Sequence, residues 1–206
     1  MFTRNISTVL SRTCTIAQLC FLFLLLSSST GLAQLPQFSK DSIPVVDEEV
    51  VFSTKFKYEL SKEEFFRVTS FYLNGKLDPY SGSFIINNED SAILRVTDYL
   101  DIESGAINTY AMYMTYSMHM TYEDGYCKML IKDITYMGKG DFERQAKSKR
   151  NLNLSVYTGK DIMIDKDFSW LMKKDSSLKV TLAMIERFNE IVKDLDLIFS
   201  SKEKES

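Results

Sequence analysis

Between Tyr110 and Tyr122 the side chains segregate with a period of two. Tyr110, Met112, Met114, Tyr116, Met118, Met120 and Tyr122 are all apolar or aromatic, whereas Ala111, Tyr113, Thr115, Ser117, His119 and Thr121 between them are mostly small or polar. Alternate side chains of a strand point to opposite sheet faces, so this spacing predicts a strand with one face on a core and the other toward water. Glu123-Asp124-Gly125 predicts a hairpin turn, with Tyr126–Tyr136 returning as the partner strand. Upstream, Phe84–Ile86, the turn Asn87-Asn88-Glu89-Asp90 and the alternating run Ala92–Ile102 predict two further strands. The middle of the chain therefore reads as an antiparallel meander.

Helical periods flank it. After a strand carried by Val50, Phe52 and Phe56, Ser61-Lys62-Glu63-Glu64 has the form of a capping box. Phe65, Val68, Phe71 and Tyr72 then recur at helical spacing until Asn74-Gly75. Near the C-terminus Leu178, Leu182, Ile185, Phe188, Val192, Leu195 and Phe199 step by three or four, and Met184, Ile191 and Ile198 widen the stripe. A stripe this broad suits a helix lying on a sheet. Residues 137–160 lose periodicity and carry Gly138, Gly140, Arg144, Lys147, Lys149 and Arg150, so they read as a solvated loop. The expected fold is α+β: an antiparallel sheet with helices packed on one face, in a single domain over 49–200. Residues 34–48, with Pro36 and Pro44, read as an extended N-terminal arm, and 201–206 as a charged, frayed tail.

The first 33 residues change the setting. Arg4 and Arg12 precede the apolar run Leu19–Leu26, and small residues lead to Gly31-Leu32-Ala33. A basic segment, a short apolar segment and a small-residue cleavage site make a signal peptide, cut after Ala33. The apolar run falls well short of the roughly 20 residues that span a bilayer, so no transmembrane segment is expected after cleavage. The destination is outside the cytoplasm: the periplasm, the cell surface or the medium. Losing Arg4 and Arg12 leaves 23 basic against 28 acidic side chains, a net charge of −5 that offers no general attraction to nucleic acid. Of three cysteines only Cys127 remains, so no intramolecular disulfide can form and a packed core must supply the stability.

Chemistry is sparse. Met118-His119-Met120 offers soft ligands of the kind that hold Cu(I), yet alternation sends His119 to the face opposite both methionines. Nucleophilic catalysis would have to use His119, the one histidine, and the chain has no G-x-S-x-G elbow and no H-E-x-x-H. Gly138-Lys139-Gly140 lacks the further glycine of a phosphate-cradling loop. Asp101-Ile102-Glu103 lacks the bend glycine of a calcium loop, because Ala106 stands there. A hydrolase built on a carboxylate pair stays open, since 28 acidic residues always allow one. No catalytic, cofactor-binding or metal residue is assigned, and Trp170 reads as an edge-of-core residue.

Several stretches also resemble a known family. Ile43-Pro44-Val45-Val46 leads into Val50-Val51-Phe52, Leu60-Ser61-Lys62-Glu63-Glu64-Phe65 opens the first helix, and Tyr122-Glu123-Asp124-Gly125-Tyr126 leads into Lys128, Ile131 and Ile134-Thr135-Tyr136. On these residues the chain resembles the domain of unknown function 4468 family, exported proteins of Bacteroidota with a TBP-like fold, over roughly residues 43–136. The resemblance implies a curved sheet with helices on one face and carries no catalytic residues with it; fold and function separate easily, so it implies no DNA binding. The expected function is a non-catalytic binding or assembly module for an unknown protein or envelope component. The alternatives are the carboxylate-pair hydrolase and a methionine-rich Cu(I) binder.

Overall fold

Three long strands form the centre of the sheet, and their register follows from the alternation. The computed structural model describes residues 38–103, 109–148, 150, 152–169 and 175–205, all within one compact unit, Gln37–Ser206. The segment expected as a signal peptide, Lys149 and Trp170 lie outside the described residues. The strands are β1 (Val45–Val46), β2 (Glu49–Val50), β3 (Phe52–Lys57), β4 (Ser81–Asn87), β5 (Ser91–Glu103), β6 (Thr109–Glu123), β7 (Tyr126–Gly138) and β8 (Val156–Thr158). The helices are α1 (Lys62–Gly75), α2 (Lys139–Lys147), α3 (Gly159–Met163) and α4 (Ser176–Glu203). The main sheet runs β3-β7-β6-β5-β4, all antiparallel, with β8 also on β7.

All seven alternate residues of β6 from Tyr110 to Tyr122 are buried. Cross-strand they meet Leu94, Val96, Leu100 and Ile102 of β5 and Met129, Ile131 and Tyr136 of β7, which makes one continuous inner face. Between Thr115 and Ser117 the β6–β7 register slips, and Asp133, with φ of 54°, is the residue that absorbs the slip. The bulge moves the buried positions of β7 from Cys127, Met129 and Ile131 to Ile134 and Tyr136, so one inserted residue keeps both halves of the strand facing the core.

Helices α1 and α4 cover the inner face. Ser61 caps α1 in a reciprocal box with Glu64, and the Lys62 N–H donates to Asp124 in the β6–β7 turn at 2.9 Å. That turn relies on Gly125, whose φ of 81° a side chain would oppose. Phe188 of α4 stacks edge-on to Phe52 and Tyr116 at 5.5 and 5.1 Å, and Phe199 meets Phe56 and Phe65 at 5.2 and 5.0 Å.

One polar latch crosses this apolar layer. Asp98 of β5, nearly fully buried, faces Arg187 of α4. Arg187 Nε donates to Asp98 Oδ2 at 3.0 Å and Nη2 to Oδ1 at 3.2 Å, while the Tyr116 hydroxyl donates to Oδ2 at 2.9 Å. Arg187 Nη2 also donates to the Leu77 carbonyl just past α1, at 2.6 Å. Burial is the largest influence on Arg187 and works against its charge, but hydrogen bonding to Asp98 and the Asp98 charge, with smaller contributions from Tyr116 and Tyr72, together outweigh it and raise the guanidinium further above its usual range. Burial, reinforced by the Asp98 charge, likewise holds the Tyr116 phenol protonated and able to donate.

Several expectations need correction. Residues 137–160 are not a loop: β7 runs on to Gly138, and α2, β8 and the first turn of α3 follow. Phe142 of α2 stacks on Tyr113 at 3.9 Å on the outer face, so the helices are not confined to one side and Tyr113 is buried. Ser117 is buried too, because it lies in register between Arg95 and Lys132, whose long stems shield a small neighbour. Phe71, Leu178 and Leu182 are exposed; the buried set of α4 is Val180, Met184, Phe188 and their successors. In the segment expected as an extended arm, β1 and β2 close a hairpin through Asp47 and Glu48, both at positive φ. Phe38 is held by paired hydrogen bonds to Asn189. The expected tail is helical to Glu203.

Two stability measurements follow. Met114→Ala or Met118→Ala, each removing packed volume at a fully buried site, should cost about 2–5 kcal/mol, whereas Thr121→Ala should stay within about 0.5 kcal/mol in denaturant unfolding. Arg187→Met alone strands a buried carboxylate and should cost about 3–5 kcal/mol, while adding Asp98→Leu should recover most of that loss. A single-variant loss below about 1 kcal/mol would remove the latch from this account.

Candidate functional site

The two flanks of the central strands are finished differently. The outer edge of β7 is paired by β3 over Tyr126–Ile131 and by β8 over Thr135–Met137. The outer edge of β5 is paired by β4 only from Ala92 to Thr97. Local chemistry stops β4 there. Continuing its register past the Ser81–Thr97 pair would set Pro79 opposite Tyr99, and proline has no N–H to give a ladder. Asp78, with φ of 45°, turns the chain away. From Asp98 to Glu103 no strand pairs with this edge among the described residues.

That free edge lies in an open groove of about 780 Å³. Ala183, Glu186, Arg187 and Glu190 of α4 wall it on the inner side. Tyr80, Tyr113, Lys139 and Glu143 wall it on the other. The aromatic wall is a cluster: Tyr113 contacts Tyr80 and Tyr99 edge-on at 4.7 and 5.3 Å, and Phe142 backs both Tyr113 and Tyr80. Tyr80 and Tyr99 remain substantially exposed. Lys139 Nζ stands 5.5 Å above the Tyr99 ring, the arrangement in which an aromatic face attracts a cation. Among the described residues six carboxylates line the groove (Asp78, Asp98, Asp101, Glu143, Glu186 and Glu190) against two cations, Lys139 and Arg187. Arg187 is engaged by Asp98, and its Nη1 lies 3.6 Å from Glu190. The groove is therefore acidic overall.

The residues weighed for chemistry do not converge. Met118 and Met120 lie inside the core, while His119 is half-buried on the outer face, between Ile93 and Leu130 in register. Burial and then the Lys132 charge lower the His119 pKa. Cys127 faces the core, where burial pushes its thiol up to about 12, far from a reactive thiolate. Gly138-Lys139-Gly140 is the entry into α2. Arg144 is paired to Asp141 at 2.7 Å. Asp101-Ile102-Glu103 ends β5, and Ala106 lies outside the described residues. Asp161, Asp165 and Asp167 could bring carboxylate oxygens within 4.8 Å of one another, but Asp161 already accepts the Thr158 N–H in the α3 capping box.

Sequence reasoning assigned no site residue in the groove. Its usable signals were Pro79 facing a strand longer than its partner, and the Lys139–Glu143 spacing around Phe142, which marks a short helix inside an apparently aperiodic stretch.

No protein-family model matches the sequence, and no curated protein does. Among the described residues, no helix is long and apolar enough to cross a membrane. Solved structures share the fold. A DUF4468 family protein from Bacteroides ovatus ATCC 8483 superposes with a TM-score of 0.60 at 15% identity, covering 76% of this chain and 90% of that one. A TBP-like protein from Parabacteroides distasonis ATCC 8503 superposes with a TM-score of 0.55 at 14% identity, covering 77% and 97%. At these identities the likeness is one of fold alone. The α+β architecture of this chain is thus that of a DUF4468 family protein and a TBP-like protein, in agreement with the resemblance read from its own residues.

Proposed function

We propose that the protein is an exported, non-catalytic binding or assembly module that holds a protein or envelope partner in the groove along β5. The observation that carries this reading is the strand edge from Asp98 to Glu103, unpaired among the described residues, with Asp98–Asp101 set between two built walls. Unpaired backbone donors and acceptors on an edge are a liability unless they are blocked or used. Here the edge lines a groove, and among the described residues no strand pairs with it. Export rests on the leader, whose removal at Ala33 would place the domain in the periplasm or at the cell surface.

Catalysis by a carboxylate pair fits the groove less well. A general acid needs a carboxyl kept protonated, usually by an apolar pocket. Asp98 is the buried carboxylate here, and the Arg187 fork and the Tyr116 hydroxyl engage both its oxygens. Glu186 and Glu190 stand exposed on the rim. An acidic groove also repels nucleic-acid phosphates.

Site-specific photo-cross-linking in cells exporting the full chain tests the surface. A cross-linking residue at Tyr99 is expected to give a discrete adduct, while one at Thr121, on an exposed part of the outer face, gives none. Adducts at Thr121 but not at Tyr99 would move the contact surface elsewhere. Intact-mass measurement of the exported protein should find a chain starting at Gln34; a species retaining residues 1–33 would contradict the export reading.

A further inference from the structure

We infer that the groove receives an extended segment of a partner protein that carries lysine or arginine at alternate positions and adds to the free edge of β5 as a further strand. This rests on the reading of the groove as the binding surface and specifies its occupant. Four observations bear on it.

The first is length. Asp98–Glu103 offers six residues of edge, roughly 20 Å at about 3.3 Å per residue, the span of an ordinary strand, and its first four residues line the groove. On the opposite flank β8 occupies the matching gap of β7, so the sheet already accepts a short added strand in this layer. The second is charge. Asp78, Asp101, Glu143, Glu186 and Glu190 face the groove outside the Asp98–Arg187 pair, and among the described residues Lys139, itself 3.9 Å from Glu143, is the one cation left to oppose them. A basic segment would be drawn in; an acidic one would be repelled.

The third is the difference between the walls. Alternate side chains of an added strand would point to opposite faces. Those on the inner side would meet Glu186 and Glu190, with Ala183 leaving room for a long stem. Those on the outer side would meet the exposed rings of Tyr80 and Tyr99. Carboxylates recognise a lysine or arginine head group by charge, and tyrosine faces accept either a cation or an apolar side chain. The fourth is what the edge excludes. Two copies of this chain pairing edge to edge would bring their Asp101, Glu186 and Glu190 side chains together, so the acids disfavour self-pairing. A small amine would use the charge but leave the backbone edge unsatisfied.

The test uses the chain from Gln34 to Ser206 and a synthetic octapeptide, Lys-Val-Lys-Thr-Lys-Val-Lys-Thr. Binding is followed by amide chemical shifts. Three comparison probes accompany it: the same peptide with glutamate for lysine, the lysine peptide N-methylated at alternate residues so that one edge cannot hydrogen-bond, and lysine amide as a small cation. The lysine peptide is expected to give saturable shifts centred on Asp98–Glu103. The glutamate and N-methylated forms should bind at least tenfold more weakly, and the variant Glu186→Lys, at an exposed position, should weaken the lysine peptide severalfold with an unchanged melt. Equal binding of the N-methylated peptide would overturn strand addition. Lysine amide matching the peptide in affinity and shifts would make this a small-cation site and overturn the inference. If no peptide binds while the Tyr99 cross-link forms, the basic strand is the wrong occupant and the groove reading stands. If the peptide binds but the Tyr99 cross-link does not form, this inference holds for the chemistry and the cellular role proposed above fails.

Discussion

The contact between Asp98 and Arg187 fixes how the rest of the molecule is arranged. A buried carboxylate and a part-buried guanidinium each give up water, and they recover partners through the two-pronged hydrogen bond between them, through Tyr116 and the Leu77 carbonyl, and through Glu190 beside Nη1. Such a pair contributes little net stability compared with apolar side chains of similar size, but losing one member leaves an uncompensated charge. Its effect is positional. It joins three elements that are far apart in sequence: β5, the end of α1 and the middle of α4. It also lies at the point where β4 leaves β5, so the same contact that sets α4 on the sheet builds the inner wall of the groove.

Above and below that point the two constraints on a sheet act separately. On the inner face, seven consecutive alternate residues of β6 demand cover, and α1 and α4 supply it with Phe65, Phe188 and Phe199. At the edges, backbone groups demand partners, and the chain meets that demand on β7 with β3 and β8 but on β5 only as far as Thr97. The bulge at Asp133 reconciles the two on β7, keeping Ile134 and Tyr136 on the core while the strand continues to the point where β8 joins it. The groove is where the second demand is left unmet among the described residues.

Much of this was legible in the sequence wherever a period recorded burial. Strand β6, its hairpin with β7 and the capped start of α1 follow directly from alternation and from Ser61–Glu64. The bulge was written there too, since the buried residues of β7 step by two from Cys127 to Ile131 and then by three to Ile134. What misled was apolar content without a partner. Leu178 and Leu182 continue the helical spacing, but Val180 and Met184, about 200° further round the helix, face the sheet. The outer-face cover of Tyr113 was illegible because it comes from Phe142, in a stretch whose composition is charged and whose helix is only nine residues long. The site lay further from reach still, since a missing strand neighbour is a property of topology, and Pro79 marks it only once the register of β4 on β5 is known.

Native-state amide hydrogen exchange along β5 of the unliganded protein tests the central claim most directly. Residues Ala92 to Thr97 have strands on both sides, so all their amides should exchange slowly, at rates set by global opening. From Asp98 to Ile102 the account predicts alternation: amides directed at β6 slow, and those directed at the groove faster by orders of magnitude. Uniform slow exchange through Ile102 would mean that the edge is already paired, and the groove as a strand-accepting site would be wrong.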